Sequence, residues 1–554
     1  MLDGADVRYL TLGGMEIVRR IHVSVRDQSW KTIPADVTSM HVESSSDSFT
    51  VRVSARHRSD DLDVVWDGVM TGEADGSISY AVEVEALRDL LHNRIGLCVL
   101  QPWREIAGRR FDGVGPDGPV AGVFPALIAP QRIEQGAFIP FFAPVSRLRV
   151  DLPSGEVAFE FEGDVFEAED QRNWGDASFK LYCAPLSVPR PMTLKRGERL
   201  AQSVTVRVGG VASGAAPPPR LAVGAATGAQ IPSVGLGGPT RDLAAGEREL
   251  LSALRPAHLR YELRTSVEWR PALARTLEAC ADLGAALELA LFVRPPDEAR
   301  LADIRAVLAA TGVDVARVLV AVDGARSGTA EETTPGELVR AVRRALDLSG
   351  VPVAGGTDLD FCSLNRSRPT IDDVDALFWS INAQVHASDD LSVLETADAL
   401  GAQVRTAAAF ASGKPLFVGP VTLKPRTASD PADPRQLSPV GAAWTLASAK
   451  HLAESGVSAI TFYEATGPLG VVAGEHAFPL YHVLDDLCEL RGASVVACES
   501  SRPLEVVGLG VERDDSVTLI AANLTARRLA VDVDGLGDVR RLELDPYEIV
   551  RVVR

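Results

Sequence analysis

Several acids, one imidazole and a set of amide and guanidinium side chains stand where short apolar stretches end. Glu464 follows Ala459-Ile460-Thr461-Phe462-Tyr463, so its carboxylate lies at the tip of a buried strand. There it can serve as general base, nucleophile or charge stabiliser, or else form an ion pair or helix cap. Asp358 follows Gly355-Gly356, and paired glycines let a backbone approach a ligand closely. The same glycines can equally make a turn with Asp358 as its Asx residue. Ser380, Asn382, Gln384 and His386 recur at period two, which puts four polar groups on one face of an extended segment. Strands buried on both faces read as continuous apolar runs, so these four need partners. A ligand-filled mouth would supply them, as would a hydrogen-bonded polar layer. His386 is also a candidate acid or base, because imidazole titrates near neutrality.

Arg260 and Glu262, two residues apart, share a face and either pair with each other or meet a substrate. Asn365 and Arg366 follow Asp358 closely and add hydrogen-bond donors. The polar run Glu167 to Lys180 holds one aromatic residue, Trp174, suited to stacking on a polar ligand. A solvated loop or an interdomain salt-bridge cluster is the alternative for that run. No His-x-His, HExxH or CxxC spacing points to a metal, and a Gly-x-Ser-x-Gly elbow is absent. The expected chemistry therefore needs neither metal nor cofactor.

Groups like these need a scaffold that gathers strand ends. After residue 230 the chain alternates strand and helix, with eight short apolar strands: Ile231–Leu236, His258–Leu263, Ala286–Val293, Val318–Asp323, Val351–Asp358, Phe378–His386, Leu416–Leu423 and Ala459–Glu464. Helical spacing fills the gaps, as in Trp269, Leu273, Leu277 and Cys280. This order predicts a (β/α)8 TIM barrel over residues 231–493, whose catalytic groups would come from the C-terminal strand ends. A doubly wound sheet would want a phosphate turn after its first strand, and Gly235-Leu236-Gly237-Gly238 is a poor match. Residues 1–210 alternate apolar and polar residues between Asp, Gly and Ser turns, as in Ile17–Val25 and Val204–Val208, and predict a β-sandwich. A Gly/Ala/Pro-rich stretch, 211–230, predicts a linker, and residues 494–554 a small C-terminal β-domain.

Composition narrows the partners. The 554 residues carry 75 Asp and Glu against 56 Lys and Arg, a formal charge of −19. That field repels phosphate backbones and anionic lipid, and no basic run offsets it, so neither nucleic acid nor a membrane surface is expected as a partner. No apolar stretch approaches the roughly 18–20 residues needed to span a bilayer. The first residues, Met1-Leu2-Asp3-Gly4-Ala5-Asp6, lack a basic signal-peptide start, so a cytoplasmic location is expected. Six scattered cysteines fit reduced, mostly buried thiols.

Several segments together resemble the D-apionate lactonase family. They are Glu167 to Lys180, Asn93-Arg94-Ile95-Gly96-Leu97-Cys98-Val99-Leu100, Gly356-Thr357-Asp358, Leu364-Asn365-Arg366 with Arg368-Pro369, Ser380-Ile381-Asn382 with Gln384-Val385-His386-Ala387, Pro420-Val421-Thr422-Leu423 with Arg426, and Tyr463-Glu464 with Gly467. The resemblance implies an N-terminal β-domain, a central TIM barrel and a small C-terminal domain. It also implies hydrolysis of D-apionolactone to D-apionate in apiose breakdown. Gln101, Ser363 and Gly175 depart from the family pattern, which has His, Glu and Thr there.

Lactone opening needs a base for water, donors for the developing oxyanion and an acid for the ring oxygen. The barrel rule assigns Glu464 as base with Asp358 in support, Asn382 and Arg366 as donors, and His386 as proton donor. The competing function is a glycoside hydrolase, with Glu464 as nucleophile and Asp358, Asp360 or Glu262 as acid. A non-catalytic carbohydrate-binding protein is the third possibility. In each case the partner is a small-molecule sugar lactone or glycoside.

Overall fold

A computed structural model describes residues 1–134, 137–153, 155–209, 216–294, 297–329 and 331–554. The chain divides into two compact units: Met1–Arg172 with Ala177–Ala216, and Asn173–Asp176 with Pro217–Arg554. Four residues of the polar run thus cluster with the second unit.

The first unit is built from antiparallel sheets. One runs, in spatial order, Leu2–Asp3, Asp6–Leu12, Met15–Asp27, Leu90–Pro102, Ser178–Tyr182, Glu167–Asp170. A second has nine strands and ends at Ala35–Ser44, and Arg132–Glu134 pairs with Ala137–Ile139 in a small third. The alternating sequences of the two large sheets bury one face each: Val51, Val53 and Ala55 face inward while Arg52 is exposed. Hydrogen bonds join the two sheets across the core, from Tyr80 Oη to the Ala5 carbonyl at 2.8 Å and from the Leu97 N–H to Gln202 Oε1 at 2.9 Å.

The second unit contains the barrel. Its strands are β1 (Ser233–Gly237), β2 (His258–Arg264), β3 (Ala286–Val293), β4 (Val315–Val322), β5 (Val353–Gly356), β6 (Ala376–Asn382), β7 (Leu416–Thr422) and β8 (Ala459–Thr466). All neighbours pair in parallel, and β1 pairs with β8, which closes the ring. The interior alternates bulky and small residues, with Phe292, Phe378 and Phe417 packed among Ala290, Ala321, Ala354, Ala376 and Ala459.

Beneath the mouth lies a buried polar layer. Glu288 accepts from Thr461 Oγ1 at 2.8 Å and faces Arg260 and Arg317 at 3.5 Å each. His258 meets Thr461 Oγ1 at 2.8 Å; burial, with the two arginines, pushes its pKa down to about 3 despite Glu288.

Two expectations need correction. The sixth strand ends at Asn382, so Gln384 and His386 lie on the loop beyond it. Asn382 Oδ1 accepts the Gln384 N–H at 3.2 Å, an Asx turn that halts the strand. The stretch read as a linker is largely a strand: Arg220–Gln230 pairs antiparallel with Ser494–Ser500 and parallel with Leu529–Asp534. Residues 211–215 of that stretch lie outside the described residues. Small residues let Arg220–Gln230 bulge twice, between Val223 and Ala226 and between Ala226 and Gln230, while Leu221 is fully buried in the C-terminal core. The C-terminal sheet therefore takes one strand from the chain before the barrel. No helix among the described residues is long and apolar enough to cross a membrane.

Candidate active site

The C-terminal strand ends converge on a cluster of arginines and carboxylates. Arg260 on β2 donates to Asp358 Oδ1 at 2.6 Å, and Arg426, on the loop after β7, donates to Asp358 Oδ2 at 2.6 Å. The other arm of Arg426 is bonded to Glu262 of β2. Arg260 and Glu262 also pair, more loosely, at 3.4 Å. Burial raises Glu262, but Arg426 and Arg260 outweigh it and bring its pKa to about 2. Burial, aided by the Glu262 charge, pushes Asp358 up against the same two arginines. Both carboxylates are thus spoken for, and their shared work is to hold Arg426.

Glu464 is different. Its carboxylate is half-buried, and among the described residues no hydrogen bond or ion pair reaches it. Burial raises its pKa, with Glu262 adding and Arg426 opposing. Local strain aims it. Tyr463 sits at φ 44°, and the pairing with β1 skips it, from Leu236↔Phe462 to Gly237↔Glu464. A β-bulge of this kind re-aims the next side chain. Burial and a 2.8 Å hydrogen bond between Tyr463 Oη and Thr445 Oγ1 hold the strained residue. Gly237 makes the room, since a Cβ there would lie 3.1 Å from Glu464 Cγ.

Two cavities meet at this cluster. The larger, about 590 Å³, is lined by Glu262, Asp358, Asp360, Ser380, Asn382 and Arg426, among others. The smaller, about 390 Å³, is lined by Glu464, Tyr261, Arg260 and again Glu262 and Arg426. Glu262, Pro420, Thr422 and Arg426 form their common wall. Of the five N–H donors of a guanidinium, the bonds of Arg426 to Glu262 and Asp358 use two. The remaining donors belong to a side chain 23% exposed that borders both cavities.

Other expected site residues are committed elsewhere. Arg366 donates to Glu332 at 2.6 Å and to Cys362 Sγ at 3.0 Å, and it lines neither cavity. Asn365 is buried between Asn173 at 3.1 Å and Arg368 at 2.8 Å. His386 faces Asp176 through Nδ1 at 2.6 Å, and Trp174 packs edge-on against its ring at 5.6 Å. Neither His386 nor Trp174 lines either of these two cavities, and the Trp174 ring packs against the imidazole where a stacked ligand was expected. Lys180 is accounted for inside the N-terminal sheet, where it faces Glu169 at 3.7 Å and burial brings its pKa to about 8. Ser380 and Asn382 do line the larger cavity, although Ser380 Oγ already donates to the Asp358 carbonyl at 2.9 Å. Gln384 lines it too, with its amide bonded to Asp433 at 2.6 Å and the Leu423 carbonyl at 2.9 Å.

The glycines before Asp358 serve packing: a Cβ on Gly356 would run into the Phe378 carbonyl, and one on Gly355 would strike Val374. Ser363 is buried in the helix after β5, its N–H capped by Asp360 at 2.8 Å. Among the described residues no group of three or more His, Cys, Asp or Glu is placed to hold a metal ion.

Three family models match the chain: the D-apionate lactonase N-terminal domain over residues 1–211, its TIM barrel domain over 234–492, and its C-terminal immunoglobulin-like domain over 503–552. A D-apionate lactonase of Brucella anthropi is 26% identical along an alignment of 603 residues, covering all of this chain and 95% of that protein. Among solved structures, a GH30 endoxylanase of Clostridium papyrosolvens covers 61% of this chain and 99% of its own, at 11% identity and a TM-score of 0.43. A beta-arabinopyranosidase covers 98% of this chain and 93% of its own, at 11% identity and a TM-score of 0.32. With all three domains matched in order, the chain belongs to the D-apionate lactonase family.

Proposed function

We propose that this chain opens a five-carbon sugar lactone, D-apionolactone, to the open-chain acid D-apionate in apiose breakdown, with Glu464 as the base. Family membership makes it a hydrolase of lactone esters. The observation that carries the site assignment is the unbonded, half-buried Glu464 carboxylate beside a guanidinium that two other carboxylates hold still.

Water adds to the lactone carbonyl as its proton passes to Glu464, and the carbonyl π pair moves onto oxygen. Arg426, with donors to spare, and Asn382 at the end of β6 receive that oxyanion. The expected donor Arg366 is replaced here, because Glu332 occupies it. Collapse breaks the ring C–O bond, and the proton on Glu464 passes to the departing alkoxide. One carboxylate thus works as base and then acid, and His386 need not enter. Asp358 and Glu262 hold Arg426 and do not take protons from water.

The test supplies D-apionolactone to the purified protein and follows acid release at constant pH, beside an aryl furanoside. Acid release with no aryl release supports the lactonase. Aryl release with no acid release transfers the site to glycoside hydrolysis, and binding without turnover of either leaves a carbohydrate-binding protein.

A further inference from the structure

The nine-stranded sheet of the N-terminal unit ends in a strand with all ten residues exposed, Ala35–Ser44. Its inner edge pairs with Phe49–Arg58, and among the described residues its outer edge has no partner strand. A strand edge of that length, roughly 33 Å at 3.3 Å per residue, presents a row of N–H and C=O groups open to pairing with another extended chain.

The side chains add a second observation. Ala35, Val37, Met40 and Val42 stand opposite His57, Ala55, Val53 and Val51, which are all buried on the core face. The bulge at Thr38 shifts the alternation by one, so that Val37 stays on the same face as Met40 and Val42. These three are exposed by 37%, 41% and 52%. The core face of the sheet thus continues onto an uncovered apolar strip, while Asp36, Ser39, His41 and Glu43 fall on the opposite face.

We infer that this edge pairs with the same edge of a second copy of the chain. A two-fold antiparallel pairing has one register that respects both faces over eight residues. It sets Val37 opposite Met40 of the second copy, Ala35 opposite Val42 and Asp36 opposite His41, each pair occurring twice about the axis. Apolar groups then meet apolar groups, and each acid meets an imidazole. Registers shifted by one put Asp36 against Val42, or Ser39 against Val37, and so mix the faces. A foreign strand would have to reproduce this pattern, whereas every copy of the chain already carries it.

The test is the sedimentation of the intact protein across micromolar concentrations, with two variants. The wild type is expected to associate reversibly to a dimer, and Met40→Lys/Val42→Lys, which faces charge with apolar surface, to remain a monomer with an unchanged unfolding midpoint. Val37→Cys/Met40→Cys is expected to give a covalent dimer on mild oxidation, because opposed residues in an antiparallel pair lie roughly 4.5–5.5 Å apart, within disulfide reach. If the lysine variant does not fold, the cysteine variant decides alone. A monomeric wild type, a dimer that survives the lysine pair, or cysteines that do not cross-link copies would each overturn the proposal.

Discussion

At the scale of single residues, the site separates two carboxylates that hold an arginine from one that is left unbonded. Glu262 and Asp358 hold Arg426, and Glu464 remains unbonded. The barrel rule made Glu464, Asp358, Glu262 and Arg260 legible in the sequence, because each stands on a barrel strand or just beyond its C-terminal end. It could not foresee which strand-end groups would be consumed by partners. Arg366, Asn365 and His386 are bound by Glu332, Asn173 and Asp176, and such pairings come from chain segments far apart in sequence. Arg426 escaped the list of site residues because it lies in a loop, four residues beyond β7, with no periodic pattern to mark it. Its role is testable. Arg426→Gln should lower kcat roughly 10²–10³-fold, the usual cost of losing an oxyanion donor. Because Arg426 also opposes the raised pKa of Glu464, the acid limb of kcat/KM should move to higher pH in that variant. An Arg426 that merely braced the fold would lower the unfolding midpoint and leave the limb where it was.

At the scale of elements, the eight barrel strands were readable as apolar runs spaced by helical periodicity, and the closed ring follows from them. The end of β6 was not, because the Asx turn at Asn382 interrupts a polar alternation that otherwise continues to His386. Nor was the bulge in β8 visible, since a tyrosine gives no sign in sequence that it will adopt a positive φ. That bulge carries a prediction. Gly237→Val would press on the Tyr463 carbonyl and on Glu464 Cγ, 3.0 and 3.1 Å from the added Cβ. Misplacing a catalytic group by about 1 Å can cost roughly a hundredfold, so kcat/KM should fall at least tenfold. Steady-state kinetics beside a circular dichroism spectrum checks it; a folded variant of wild-type activity would mean the bulge does not aim the carboxylate.

At the scale of the whole molecule, the division into β-domain, barrel and C-terminal sheet was visible in changes of rhythm along the chain. The origin of one C-terminal strand was not, since a Gly/Ala-rich stretch signals flexibility until two neighbouring strands capture it. Both neighbours of Arg220–Gln230 come from beyond Ala493. A chain ending at Ala493 should therefore expose Leu221 and an unpaired strand, and aggregate; a soluble, active truncation would contradict this.

The central claim is that Glu464 activates water in the intact enzyme, and Glu464→Gln tests it most directly. The substitution keeps volume but removes basicity, and general base contributions are typically about 10²–10⁴-fold. Acid release from D-apionolactone should fall at least about a hundredfold with the unfolding midpoint little changed. The acid limb of kcat/KM, displaced above the ordinary glutamate range by burial, should vanish with it. Near-wild-type turnover with the limb intact would contradict the account.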